Sequence, residues 1–155
     1  AHRVLGAALA RREIVRRYAA LSWGHLAEDD VTVDKPVARD PHDRQRMAIV
    51  AGGRVAKTAF HRLARFDSAD LLRAHLFTGR THQIRVHLKA IHHPIVCDPL
   101  YSPNQPCDLG FKRLGLHAYQ LDLPLPSGER ITLTSPIPED LKPAIATFPG
   151  TEGLV

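Results

Sequence analysis

The stretch TGRTHQIRVHLKAIHHP, residues 78–94, decides whether this chain is sheet alone or sheet with helix. Ile84, Val86 and Leu88 alternate with Gln83, Arg85, His87 and Lys89 as in a half-buried strand, yet Ile84, Leu88 and Ile91 equally form a helical stripe. Two local features favour the helix. Thr81 is a suitable N-cap just after Gly79, and no breaker interrupts the run before Pro94, which pushes His93 off helical backbone. As a helix, the segment puts His82, Arg85 and Lys89 on one face and directs its positive N-terminal end at whatever lies beyond. It carries no acid of its own. Either solvent screens that face or an anion covers it.

Outward from this segment the pattern is mostly strands. Residues 3–13 form an amphipathic helix with Val4, Leu5, Ala8 and Leu9 on one side. In VRRYAALSWG, Val15, Ala19, Leu21 and Trp23 share one face of a strand and Tyr18 the other. DVTVD is a second, short strand. KPVARDPHDRQR, residues 35–46, combines two prolines with Lys35, Arg39, His42, Arg44 and Arg46, and is expected to be an exposed basic loop. MAIVA, the Gly52-Gly53 turn and VAKTAFHRLARF suggest a hairpin, with ADLLRAHLF the next strand. LHAYQLDLPL, a turn at Pro126-Ser127-Gly128 and ERITLTS suggest another. PEDLKPAIATF fits a closing helix with its acids in the first turn. These elements predict an α+β domain over residues 1–155, with a mixed, largely antiparallel sheet and a few flanking helices.

Composition bounds the function. At 155 residues, 44% hydrophobic and 24% charged, the chain has the balance of a soluble globular domain. Its 21 Lys and Arg against 16 Asp and Glu give a formal charge of +5, which suits an anionic partner, nucleic acid first, or a merely well-solvated basic protein. No apolar run of about 18 residues is present, so no helical membrane span is expected. Without a secretory cue, Cys97 and Cys107 are expected to be reduced thiols in a cytoplasmic protein.

Phosphate-loop, dinucleotide-fold and serine-hydrolase motifs are absent. His92, His93 and Cys97 are close in sequence but lack the spacing of a zinc site, so no metal is expected. Cys97 has no evident base beside it for nucleophilic work.

TGRTHQIRVHLKAIHHPIVCDPLY resembles the signature region of the RluA-type RNA pseudouridine synthases, in particular the branch acting on large-subunit ribosomal RNA. The similarity extends over nearly the whole chain. RRYAALSWG is similar to the family's tyrosine-bearing strand, VDKPVARDPHDRQRMAIVAGGRVAKTAF to the stretch after it, and LGLHAYQLDLPLPSGERITLTSPIPEDL to the C-terminal hairpin and closing helix. Cys97 departs from the pattern, since the family commonly has glycine there.

The resemblance implies an enzyme that converts uridine to pseudouridine in RNA without cofactor or metal, acting as a monomer. An aspartate attacks the target nucleotide, the glycosidic bond breaks, and the base turns and rejoins through carbon. Arg85 matches the arginine that pairs with that aspartate, and Tyr18 the tyrosine that stacks near the base and assists proton removal. Arg80, His82 and Gln83 would surround the cleft, and Arg39, Arg44 and Arg46 would contact RNA phosphates. The family's aspartate lies in an HRLD motif before the tyrosine strand. Here the similar HRLA, His61 to Ala64, follows Tyr18 and reads as ordinary strand. The resemblance therefore points to the C-terminal part of a catalytic domain whose nucleophile lies upstream. A non-catalytic RNA-binding remnant is the alternative; a metal-dependent nuclease-like protein would need a ligand cluster that the sequence lacks.

Overall fold

In the computed structural model, which describes residues 2–107 and 112–142, the elements in chain order are α1 (His2–Ala10), β1 (Val15–Trp23), β2 (Asp30–Asp34), β3 (Val37–Arg39), β4 (Met47–Ile49), β5 (Lys57–Arg65), β6 (Ala69–Leu76), α2 (Gln83–Ala90), β7 (Leu116–Pro124) and β8 (Arg130–Thr134). Six strands form one sheet in the order β2-β5-β6-β1-β7-β8, and each neighbouring pair is antiparallel. β1 is central because its side chains are apolar on both faces, which only an interior strand can bury. Ala19 and Leu21 pack with Leu71, Val96, Tyr119, Ile137 and Leu141 on one face. Ala20 packs on the other with Phe60, Leu72, Ala74 and the α2 residues Ile84 and Leu88. Tyr18 joins this second face, on the same side of the sheet as α2.

α2 is the helix expected from residues 78–94, but Thr81 does not cap it. His82 holds the N-cap position in a left-handed conformation (φ 55°) and makes no side-chain capping bond. Gln83 instead fixes the turn leading into the helix: its Oε1 accepts the Arg80 N–H at 3.0 Å.

Two further expectations change. Residues 35–46 are not simply a loop, because Val37–Arg39 pairs with Met47–Ile49 as a separate two-stranded sheet. MAIVA therefore has its partner upstream, and β5 pairs with β2 and β6 instead of forming a hairpin with it. Val37 is the physical reason: it is 1% exposed, packed with Ala56, Val86 and Tyr101, and a solvated loop could not bury it. The HRLA residues His61 to Ala64 do lie inside β5, as expected. The expected closing helix lies mostly outside the described residues, which end at Lys142.

The cysteines are not free thiols. Cys97 and Cys107 are joined as a disulfide, with Cα atoms 4.5 Å apart. Cys97 also has a left-handed backbone (φ 57°), the conformation glycine adopts without strain and other residues adopt at a cost of roughly 1–2 kcal/mol.

Candidate active site

Tyr18 and Arg85, 67 positions apart by their residue numbers, line one cavity of about 290 Å³. Its walls include Leu76 at the end of β6, Leu114 and Leu116 before and within β7, and Arg80, His82 and Gln83 from the turn into α2. A bulge in the β1–β7 pairing falls between Arg17 and Tyr18. Bulges of this kind re-aim a side chain at the sheet surface.

The guanidinium of Arg85 already has a carboxylate. Nε donates to Asp98 Oδ2 at 2.8 Å and Nη2 to Oδ1 at 2.7 Å, a bidentate fork. The expectation that Arg85 waits for an acid from outside this chain is thus corrected: the turn after α2 folds back and brings Asp98 against the helix. Asp98 has a side chain that is 0% exposed, and its Oδ1 also accepts the N–H groups of Leu100 and Tyr101, each at 3.0 Å. Burial alone would raise the Asp98 pKa; the Arg85 hydrogen bond, then the Tyr101 and Leu100 N–H groups, hold it below the ordinary aspartate value. The same hydrogen bond raises Arg85. Nη1 of Arg85 makes no hydrogen bond among the described residues.

Tyr101 binds this pair to the small sheet. Its ring lies 4.9 Å from the Arg85 guanidinium carbon and 5.3 Å from that of Arg46, with its hydroxyl accepting the Met47 N–H at 2.9 Å. The hydroxyl proton is then free for Nδ1 of His82, 3.0 Å away. Burial, followed by the Arg85 charge, lowers the His82 pKa and favours that neutral acceptor.

The residues that the resemblance places near RNA divide accordingly. Arg80 and His82 reach the cavity. Gln83 is 2% exposed and its amide is spent: Nε2 donates to the Lys57 carbonyl at 3.0 Å and Thr58 Oγ1 at 2.9 Å, while Oε1 accepts from Thr78 and Arg80. It shapes the turn, and both its amide oxygen and nitrogen are engaged within the fold. Arg39 and Arg44 are exposed on the β3–β4 hairpin, the first donating to the second's carbonyl. Arg46 is half-buried on Tyr101, with a buried Nε lacking a partner, so it is not a loop-tip cation. Sequence reasoning missed Asp98 and Tyr101. Their only linear sign was the DPLY run, Asp98 to Tyr101, a short stretch beyond the end of the helix.

The Gln83 network continues to His87, which is fully buried. Its Nε2 must donate to the Lys35 carbonyl at 2.9 Å, leaving Nδ1 to accept from Thr58 at 2.9 Å. Burial, the largest influence, lowers its pKa. A histidine held neutral in the fold is protonated more readily in the unfolded chain, so its contribution to stability is complete above the unfolded pKa of about 6.5 and is lost as pH falls below it. Denaturant unfolding at pH 7.5 and 5.5 should therefore show lower stability at 5.5. A flat profile over that interval would show that His87 is not held neutral.

Residues 1–90 match the family model described as RNA pseudouridylate synthase. An uncharacterized RNA pseudouridine synthase of Bacillus subtilis, YlyB, is 42% identical over 142 residues, covering 91% of this chain and 46% of its own length. The ribosomal large subunit pseudouridine synthase D of Nitrosomonas europaea is 43% identical over 140 residues, covering 86% and 40%. The chain thus spans less than half the length of these two relatives. The solved structure of human RNA pseudouridylate synthase domain containing 1 superposes with a TM-score of 0.77 at 26% identity, over 94% of this chain and 63% of that one.

Proposed function

We propose, from the premise that this chain belongs to the RNA pseudouridylate synthase family, that the protein containing it isomerises uridine to pseudouridine in RNA. The observation carrying this is the shared cavity of Tyr18 and Arg85, the two positions matching the family's reacting residues. Uridine's C1′–N1 bond breaks, the base turns, C1′ bonds to C5, and the C5 proton is removed while N1 gains one. Tyr18 stacks on the base and assists loss of that proton. The attacking carboxylate is oriented by the Arg85 guanidinium. Asp98 is no substitute, because both its oxygens are engaged and it is buried.

Large-subunit ribosomal RNA is the substrate class we favour, supported by the name of the Nitrosomonas relative. The complete gene product should form pseudouridine in such RNA, detected by site mapping against an inactivated control. RNA binding without isomerisation would support the remnant reading instead. Arg44→Glu, an exposed change, should weaken binding to unrelated RNAs about equally, since phosphate contacts carry little sequence information. Arg46→Glu is not an equivalent test, because it also removes the packing on Tyr101.

A further inference from the structure

A second cavity, of about 350 Å³, lies between the end of α1 and the turn at Gly79. Arg12, Arg16 and Arg80 line it, and no acidic side chain does. None of the three forms an ion pair among the described residues, whereas neighbouring Arg11 is neutralised by Glu13. Arg16 lies beside Gly79, where a Cβ would crowd its Nη1 and make the guanidinium shift. The Nε of Arg16 is buried without a hydrogen-bond partner. Arg80 gives its Nε to a neutral acceptor, the Val55 carbonyl, at 3.0 Å. Burial first, then the charges of Arg54 and Arg12, lower the Arg80 pKa, as expected where cations crowd without a counter-ion.

Three guanidiniums around one cavity, without an acid in its lining, offer donors that a tetrahedral anion can take, each fork matching two of its oxygens. We infer that Arg12, Arg16 and Arg80 form a cradle for a backbone phosphate of the RNA, separate from the cavity that takes the base. Arg80 lines both cavities, so a strand whose base enters beside Tyr18 carries its backbone past the cradle. This rests on the function proposed above and adds Arg12 and Arg16 to it.

The test measures RNA affinity of the complete gene product against salt, for Arg12→Gln/Arg16→Gln and for the charge-matched Arg11→Gln/Arg130→Gln, whose arginines are already paired with Glu13 and Asp122. On single-stranded RNA the slope of log affinity against log salt should become shallower by about 0.7 for each phosphate that the first variant no longer neutralises, and stay unchanged in the second. Without RNA, the first variant should melt no lower than the parent, since it removes like-charge repulsion. Equal slopes in the two variants would overturn the cradle. Protection of the parent by inorganic phosphate, abolished in the first variant with no change of RNA slope, would also overturn it and indicate a free-phosphate site. Pseudouridine mapping on the same preparations separates the two proposals: an inactive parent with a cradle-dependent slope refutes only the isomerase, and an active parent with equal slopes refutes only the cradle.

Discussion

Asp98→Ala should cost about 3–5 kcal/mol of unfolding free energy, measured by denaturant titration of the complete gene product, and should abolish pseudouridine formation. The substitution leaves the Arg85 guanidinium, 12% exposed, without its carboxylate and frees the Leu100 and Tyr101 N–H groups. Arg85→Ala should cost a similar amount by stranding a carboxylate that is 0% exposed. Both single changes break the same pair, so the double variant Asp98→Leu/Arg85→Met should be markedly more stable than the sum of the single effects allows. It should nonetheless be inactive, because no cation remains to orient the incoming nucleophile. Arg85→Lys should recover part of the stability and less of the activity, keeping a charge but losing the planar fork that Asp98 grips. A near-neutral Asp98→Ala with full turnover would show that the pair does not anchor the site.

Tyr18→Phe should lower turnover by about 10²–10⁴-fold while leaving RNA affinity close to that of the parent. The ring stays against the cavity wall, so stacking should survive, but the hydroxyl proposed to assist C5 proton loss is gone. Tyr18→Leu should lose turnover and also about 1–3 kcal/mol of binding, the contribution of an aromatic ring under a base. Single-turnover rates and filter-binding affinities on the same RNA separate the two effects. If both variants remain fully active, Tyr18 is a strand residue that happens to border the cavity.

The elements of this fold were legible wherever burial repeats with a local period. The alternation through Val15–Trp23, the runs at Asp30–Asp34 and Ala69–Leu76, and the hairpin of Leu116–Pro124 with Arg130–Thr134 all follow from it. The helix at Gln83–Ala90 was legible too, although its entry was not: His82 takes the N-cap position without a side-chain bond, and the Gln83 amide is drawn inward by Thr58 and Thr78, residues of another strand and turn. Met47–Ile49 was assigned the wrong partner for a related reason. Short strands carry little register information of their own, and what decided the pairing was the burial of Val37 against Val86 and Tyr101.

The site divides along the same line. Tyr18, Arg80 and Arg85 could be nominated from residue type and motif, since the chemistry of a phenol or a guanidinium belongs to the side chain itself. Which of these cations are available to a ligand depends on the counter-charges that arrive from elsewhere in the chain, and local pattern does not encode that. Arg85 is half-satisfied by Asp98, thirteen positions along, because the chain reverses after α2; Arg46 is turned onto Tyr101 by the β3–β4 hairpin; and Gln83 is consumed by the backbone it supports. Arg12 and Arg16 carry no distinguishing mark as sequence, and become conspicuous only when the fold gathers them with Arg80 around one cavity whose described lining holds no acid. Sequence determined the strand faces and the chemical candidates, because hydrophobic period and side-chain type are local properties. Tertiary structure alone decided which charges are neutralised, because Coulombic pairing and desolvation depend on distances between segments that the linear order does not specify.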